Sequence, residues 1–181
     1  MQEDYFEQIV YNKTNFSSNP LPKGEYEKCK FLNCDFLNSD LSEVNFIDCT
    51  FKEYNLSNAL LDLTTLNNIS FKDCKMNSLH FSSCNSFGLS FSFDRCLLNH
   101  STFYKTRIIK TEFSNCNLNE TDFTACDLTG SVFENCDLAG AVFEKTILAK
   151  VDFRTAFNFT IDPENNRLKK QNFHSIPSRD F

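Results

Sequence analysis

From Phe93 to Phe153 every fifth residue is bulky and apolar: Phe93, Leu98, Phe103, Ile108, Phe113, Leu118, Phe123, Leu128, Phe133, Leu138, Phe143, Leu148 and Phe153. Two places before each stands a small or β-branched residue, such as Cys96, Ser101, Thr106, Thr121, Cys136 or Val151; Phe91 alone departs from this. A period of five suits neither an amphipathic helix nor a flat strand. Repeated this many times, it predicts a solenoid. One large and one small inward position per repeat fit a chain that turns a corner at each repeat. Asn, Asp, Thr, Ser and Glu fill most of the remaining, outward places. Coils joined by backbone hydrogen bonds stack about 4.8 Å apart.

The same frame runs through Phe6, Tyr11, Phe16 and Leu21, and on from Tyr26 to Phe81. Pro20, Pro22 and Gly24 interrupt its start, so residues 1–25 read as an irregular cap or a short strand over the open end. Small positions are looser in this half, with Tyr54, Ile69 and Leu79 among them. Between residues 82 and 92 the frame slips: Ser86 falls where a large residue is due, and Phe87, Gly88 and Leu89 follow. Phe71 and Phe93 are 22 residues apart, which implies a two-residue insertion near Ser86–Phe91. It reads as a bulge in one coil, or as a bend between two stacked halves, with Gly88 suited to a positive φ.

Residues 1–161 thus form a repeat domain and residues 162–181 a tail. Asp162-Pro163-Glu164 predicts a helix start, with Asp as cap and Pro at the first position. Leu168, Phe173, Ile176 and Phe181 are then available to cover the last coil or to meet a second copy.

Repeats such as Cys116-Asn-Leu-Asn-Glu, Thr121-Asp-Phe-Thr-Ala, Cys126-Asp-Leu-Thr-Gly and Cys136-Asp-Leu-Ala-Gly resemble the A(D/N)LXX pattern of the pentapeptide-repeat family. The resemblance implies an all-β, right-handed quadrilateral β-helix with four repeats per coil. About eight coils, a rod near 40 Å long, would then carry the ladder Phe93, Phe113, Phe133, Phe153 on one face. The tail from Ile161 to Phe173 is similar to the segment after the repeats in quinolone-resistance (Qnr) proteins. That resemblance implies a DNA mimic that binds DNA gyrase and topoisomerase IV, protects them from quinolones, and forms a homodimer through its C-terminal end. Long projecting loops are missing here, so the chain looks more like the loop-free members, for which gyrase binding is better founded than drug protection.

Charge bears on that expectation. With 24 acids and 18 bases the formal net charge is −6. Between Thr111 and Glu144 there are seven acids (Glu112, Glu120, Asp122, Asp127, Glu134, Asp137, Glu144) and no base. Glu53, Asp73, Asp94, Glu112, Glu134 and Asp152 recur beside the long Phe column and are the candidate partner-binding acidic face; Lys52, Lys72 and Arg154 stand close by. An Asp just before a repeat centre also suits a bond to turn backbone, and Asp122, Asp127 and Asp137 have that place.

The nine cysteines all lie two residues before a repeat position, which makes them small buried hydrophobes rather than metal ligands or disulfides. His80, His100 and His174 are scattered, and no phosphate loop or nucleophile elbow occurs. No cofactor, metal or enzymatic activity is therefore expected. No basic stripe is interleaved with aromatics, so direct nucleic-acid binding is not expected. No window has the roughly 20 apolar residues of a membrane span, and a cytoplasmic location is the default. The competing reading is a structural interaction solenoid with an unrelated partner.

Overall fold

The computed structural model describes residues 4–168. The chain is an all-β parallel solenoid. Its first four strands on one side are β1 (Tyr5–Glu7), β3 (Glu25–Glu27), β5 (Asn45–Ile47) and β7 (Thr65–Asn67), paired in that order. A second sheet runs β2 (Val10–Asn12), β4 (Lys30–Leu32), β6 (Thr50–Lys52), β8 (Ile69–Lys72), β9 (Phe91–Asp94), β10 (Glu112–Ser114) and β11 (Val132–Glu134). Registers advance by 20 residues, as in Phe31↔Phe51 and Phe113↔Phe133, so each coil holds four repeats. Single bridges complete the other two sides, for example Asn117↔Asp137 and Thr102↔Asp122.

Four faces result. Face A carries β1, β3, β5, β7 and, further up, Ile108, Leu128 and Leu148. Face B carries the long sheet and its column Tyr11, Phe31, Phe51, Phe71, Phe93, Phe113, Phe133, Phe153. Phe16, Phe36, Leu56, Met76, Leu98, Leu118 and Leu138 line face C, and Leu21, Leu41, Leu61, Phe81, Phe103, Phe123 and Phe143 face D. Rings stack along each column, with Phe113 and Phe133 centroids 4.8 Å apart and Phe103 and Phe123 5.2 Å apart. Columns B and D meet edge to face across the core, as Phe113 and Phe123 do at 6.2 Å and 85°. Offset stacks and edge contacts are the two favoured aromatic geometries.

The small inward position does more than make room. Ser, Thr and Cys there donate to the carbonyl of the repeat centre one coil below. Thr121 Oγ1 donates to Leu98 O at 3.0 Å, Ser131 Oγ to Ile108 O at 3.1 Å, and Cys136 Sγ to Phe113 O at 3.3 Å. These buried hydroxyls are thereby satisfied inside an apolar core; Thr106 Oγ1 instead donates to Phe103 O in its own coil, and Ser39 Oγ has no partner among the described residues. All nine cysteines are buried and free. At most corners the residue two after the centre takes a left-handed backbone, as Glu53, Asp73, Arg95 and Asn115 do at φ 57°, 55°, 52° and 55°. Asn tolerates this region, and Gly130 and Gly140 occupy it at no steric cost. Elsewhere Lys and Glu are held there by the stack.

The insertion is a bulge confined to face A. Face B continues across it in the shifted register Phe71↔Phe93, and the offset of 22 holds at Lys75↔Leu97 and His80↔Thr102. Ser86 stays outside and Leu89 is buried instead. Gly88 has φ +71°, and a Cβ on it would stand 2.8 Å from Asn67 Nδ2.

Toward the C-terminus the structure departs from the expected helix. Pro163–Asn165 form a turn, and no helix forms over 162–168. Asp162 Oδ1 accepts the Glu164 N–H at 2.8 Å, which closes a turn rather than capping a helix. The physical reason lies in the frame, which resumes here. Arg167 bridges Ile147, Asn166 is buried in a small position, and Asn166 Nδ2 donates to Phe143 O at 2.8 Å as a Thr or Cys would. The repeat is disturbed just before, where Thr155 lacks the left-handed corner and Asn158 takes it early at φ +59°, which lets Phe159 turn in over Phe153 at 5.1 Å. Leu168 packs against the core. Phe173, Ile176 and Phe181 lie outside the described residues.

Candidate functional site

The interior is filled by side chains, so the candidate site is the outer surface. Among the described residues no group of three or more His, Cys, Asp or Glu is placed to hold a metal ion. A shallow recess of about 230 Å³ sits beside the insertion, lined by Asn68, Ser70, Ser90, Phe91, Ile109 and Lys110 among others. No described helix is long and apolar enough to cross a membrane.

The Asn or Asp just before a repeat centre is a turn-builder. The N–H groups of Thr124, Thr129 and Ala139 donate to the Oδ1 atoms of Asp122, Asp127 and Asp137 at 2.8, 3.0 and 3.2 Å. Asn55 and Asn117 do the same for Ser57 and Asn119. These are Asx turns, which explains why the pattern asks for Asp or Asn there. The charge of an Asp is left partly outward after this bond is made.

All six acids of the expected partner face lie on face B or its edge, though at three different places in the repeat. Glu112 and Asp152 precede their centres, Asp94 and Glu134 follow them, and Glu53 and Asp73 are corner residues. The same face carries Lys13, Lys30, Lys52, Lys72, Arg95 and Arg154, one base for each acid. Pairing is direct. Arg95 Nε lies 2.6 Å from Asp73, and its Nη1 2.9 Å from Asp94. Arg154 Nη2 lies 2.6 Å from Asp152, and Lys52 Nζ 3.2 Å from Glu53. The hydrogen bonds from Arg95 and Arg154 hold the Asp73 and Asp152 carboxyls below the ordinary range. Glu112 and Glu134 make no ion pair among the described residues, and Glu134 accepts a bond from Ser114 Oγ at 3.2 Å. Face B is therefore electrically balanced.

Face D is not. It carries Asp40, Glu43, Asp62, Asp122 and Glu144 against Lys23, Lys105 and Lys145. Lys23 pairs with Asp40 at 3.5 Å, whereas Lys105 Nζ rests 4.8 Å above the Tyr104 ring. The Ser42 hydroxyl and N–H lower the Asp40 pKa. Asp40, Glu43 and Asp62 escaped the sequence reading, which followed the long Phe column of face B, and Asp122 and Glu144 were read there only as part of the acidic stretch. Sorting outward residues by their place in a 20-residue coil would have exposed them.

A family model of the pentapeptide repeat region matches residues 25–103 and 89–157. The chain belongs to the pentapeptide-repeat family. This pentapeptide-repeat solenoid is similar to full-length QnrB1, a plasmid-mediated fluoroquinolone resistance protein, with 17% identity and a TM-score of 0.55 over 94% of each chain. It is also matched to HetL, a pentapeptide repeat protein involved in heterocyst differentiation regulation from the cyanobacterium Nostoc, with 15% identity and a TM-score of 0.33, over 94% of this chain and 90% of HetL. No curated protein matches the chain. The family match and the likeness to QnrB1 establish a shared fold, and a filled pentapeptide-repeat rod offers its partners a surface rather than a pocket.

Proposed function

We propose that this pentapeptide-repeat rod is a DNA mimic that binds DNA gyrase or topoisomerase IV and protects them from quinolones or other gyrase poisons. The observation that carries the reading is the acidic band from Glu112 to Glu144. In a solenoid, position along the axis follows position along the sequence. A stretch with seven acids and no base therefore becomes a slice of the rod with acids on all four faces. Its thickness is under two coils, so it holds roughly one charge per 1–2 Å of axis, the order of the ~1.7 Å per charge of duplex DNA. Arg107 compensates Asp127 at 3.6 Å and His100 faces Glu120 at 3.1 Å. Glu112, Asp122, Glu134, Asp137 and Glu144 keep their charge outside ion pairs among the described residues.

Face D adds a second support. Its acids form two clusters, Asp40–Asp62 and Asp122–Glu144, about three coils or ~14 Å apart. That is close to the ~12 Å width of the major groove between phosphate backbones. A basic DNA-binding surface would be attracted to such a pattern with salt-sensitive affinity. The likeness to QnrB1 in fold is consistent with this target.

The balanced charge of face B favours the second reading, an interaction rod whose partner is unrelated to topoisomerases. Supercoiling by purified gyrase, titrated with the protein with and without ciprofloxacin, separates the two. Rescue in the drug arm, lost on reversing Asp122, Glu134 and Glu144 to Lys, supports the DNA mimic. No effect in either arm, at protein well above enzyme, overturns it in favour of the second reading.

A further inference from the structure

We infer that face A is a docking surface for a second copy of this chain, laid antiparallel against the first with Phe87 at the centre. The inference stands independently of the gyrase reading. It rests on an antisymmetry of charge that face A has more strongly than face B, together with the exposed ring at its midpoint.

Face A has nine levels, marked by Phe6, Tyr26, Phe46, Leu66, the insertion, Ile108, Leu128, Leu148 and Leu168. The insertion is the fifth, with four levels on either side. Outward charge changes sign across it. Below stand Asp4, Glu7, Glu25, Glu27 and Asp48 with one base, Lys28; above stand Arg107, Lys110, Lys150 and Arg167 with one acid, Asp127. Lys28 is already engaged by Glu27 and by Glu7 at 3.8 Å. An isologous contact must be complementary to itself: residue i meets j, and j meets i. A face that is acidic below its midpoint and basic above it meets that condition when the second copy is turned end for end. Glu7 and Glu27 then come to the levels of Arg167 and Lys150, twice over, while Asp48 meets the level of Asp127, whose charge Arg107 already offsets at 3.6 Å.

At the midpoint stands Phe87, the most exposed large apolar side chain among the described residues, at 86% exposure. Its loop is built rather than loose. The Phe87 N–H donates to Asn85 Oδ1 at 3.1 Å, and the Asn68 N–H to Ser90 Oγ at 2.8 Å. Asn85 Nδ2 reaches back to Thr65 Oγ1 at 3.3 Å, and Gly88 supplies the left-handed turn. Two further half-exposed apolar residues lie nearby: Leu63 at the corner with face D, one coil below the loop, and Ile109 one coil above it. Holding a ring in water on a fixed loop is unfavourable in a monomer. On a two-fold axis the ring meets its own copy, and the apolar centre is surrounded by a charged rim, the common anatomy of interfaces. The face is roughly 40 Å long and about 12 Å wide, so the contact covers about 1,000 Å² over both copies, near the lower bound for a specific interface. A modest, salt-sensitive dimer is the expected product.

The test is the mass of the full chain by sedimentation and light scattering, without gyrase. The wild type is expected as a dimer that weakens roughly tenfold between 0.1 M and 1 M salt, as the screening length falls from about 10 Å to about 3 Å. Phe87→Asp, a change at a fully exposed side chain, is expected to give a folded monomer by circular dichroism. Phe87→Cys is expected to cross-link to its own copy under mild oxidation with a copper–phenanthroline catalyst, because the native thiols are buried. Glu27→Lys is expected to weaken the dimer, and adding Lys150→Glu to restore it. A monomer at all concentrations overturns the inference. So does a dimer indifferent to Phe87→Asp and lost only on removing residues 169–181, which would place the contact at the C-terminal end instead. Failure of the gyrase assay leaves all these masses unchanged, so the two proposals fail separately.

Discussion

Asp122 Oδ1 accepts the N–H of Thr124 at 2.8 Å while Asp122 also stands in the acidic band. One carboxylate thus has a turn to hold and a charge to present, and the two roles separate by substitution. Asp122→Ala removes both and should lower stability by about 1 kcal/mol, the net value of one such bond. Asp122→Asn keeps an acceptor and should leave the melting temperature nearly unchanged. If charge is what a basic partner reads, both variants lose affinity equally. Thermal melts and binding measured on the same pair check this.

The aromatic ladder should respond to cavities. Phe113 is fully buried, stacked on Phe93 at 5.0 Å and Phe133 at 4.8 Å. Phe113→Ala should cost about 3–5 kcal/mol, and Phe113→Leu clearly less. Because each coil contacts chiefly its neighbours, the loss should be local. Hydrogen exchange should rise first around Phe93, Phe113 and Phe133 and leave Tyr26 and Phe46 protected.

The thiols should be inert in the native state. Burial pushes Cys49, Cys84 and Cys126 up to about 12, far from a reactive thiolate at neutral pH. A disulfide reagent such as DTNB is expected to react negligibly with folded protein and with all nine cysteines after denaturation. Cys136→Ser should be tolerated, since a hydroxyl can donate to the same Phe113 carbonyl.

Arg95 should tune Asp73. Its guanidinium lowers the Asp73 pKa, so the pairing contributes stability above the unfolded carboxylate pKa and loses it as pH falls through the lower, folded value. Titration of the Asp73 side-chain carboxyl by NMR should show a midpoint below the ordinary Asp value. In Arg95→Ala the midpoint should return toward that value, with little change in stability at neutral pH, because the pair is exposed.

Gly88 should resist substitution. Gly88→Ala needs a residue with φ +71° and brings a Cβ to 2.8 Å from Asn67 Nδ2, so a loss of about 1 kcal/mol is expected in thermal melts. The Asn67 amide can yield by rotating, which keeps the cost from growing larger.

The sequence by itself determined the period, the inward columns, the burial of the cysteines, the place of the two-residue insertion and the Asx role of Asp122, Asp127 and Asp137. These were legible because a solenoid makes tertiary neighbours out of residues about 20 apart, so one periodic pattern encodes local turns and core packing together. Tertiary structure alone decided the rest. Asp162-Pro163-Glu164 carries good helix-start signals, yet Asn166 and Arg167 hold that segment on the last coil, because the Asn166 bond to Phe143 O and the Arg167 backbone bonds to Thr146 and Leu148 outweigh the propensity of a helix of about two turns. The acids beside the Phe column read as a negative stripe along the chain, but Arg95 spans one coil to Asp73, and Lys52, Lys72 and Arg154 pair with Glu53, Asp94 and Asp152, which leaves Glu112 and Glu134 outside ion pairs among the described residues. The antisymmetry of face A appears only when residues are sorted by coil and face. Core positions are set by short side chains at fixed backbone sites, which a period can specify. Surface charge is carried by long side chains, and where their partners lie one coil away, as for Arg95 with Asp73 and Lys72 with Asp94, only the folded register brings them together.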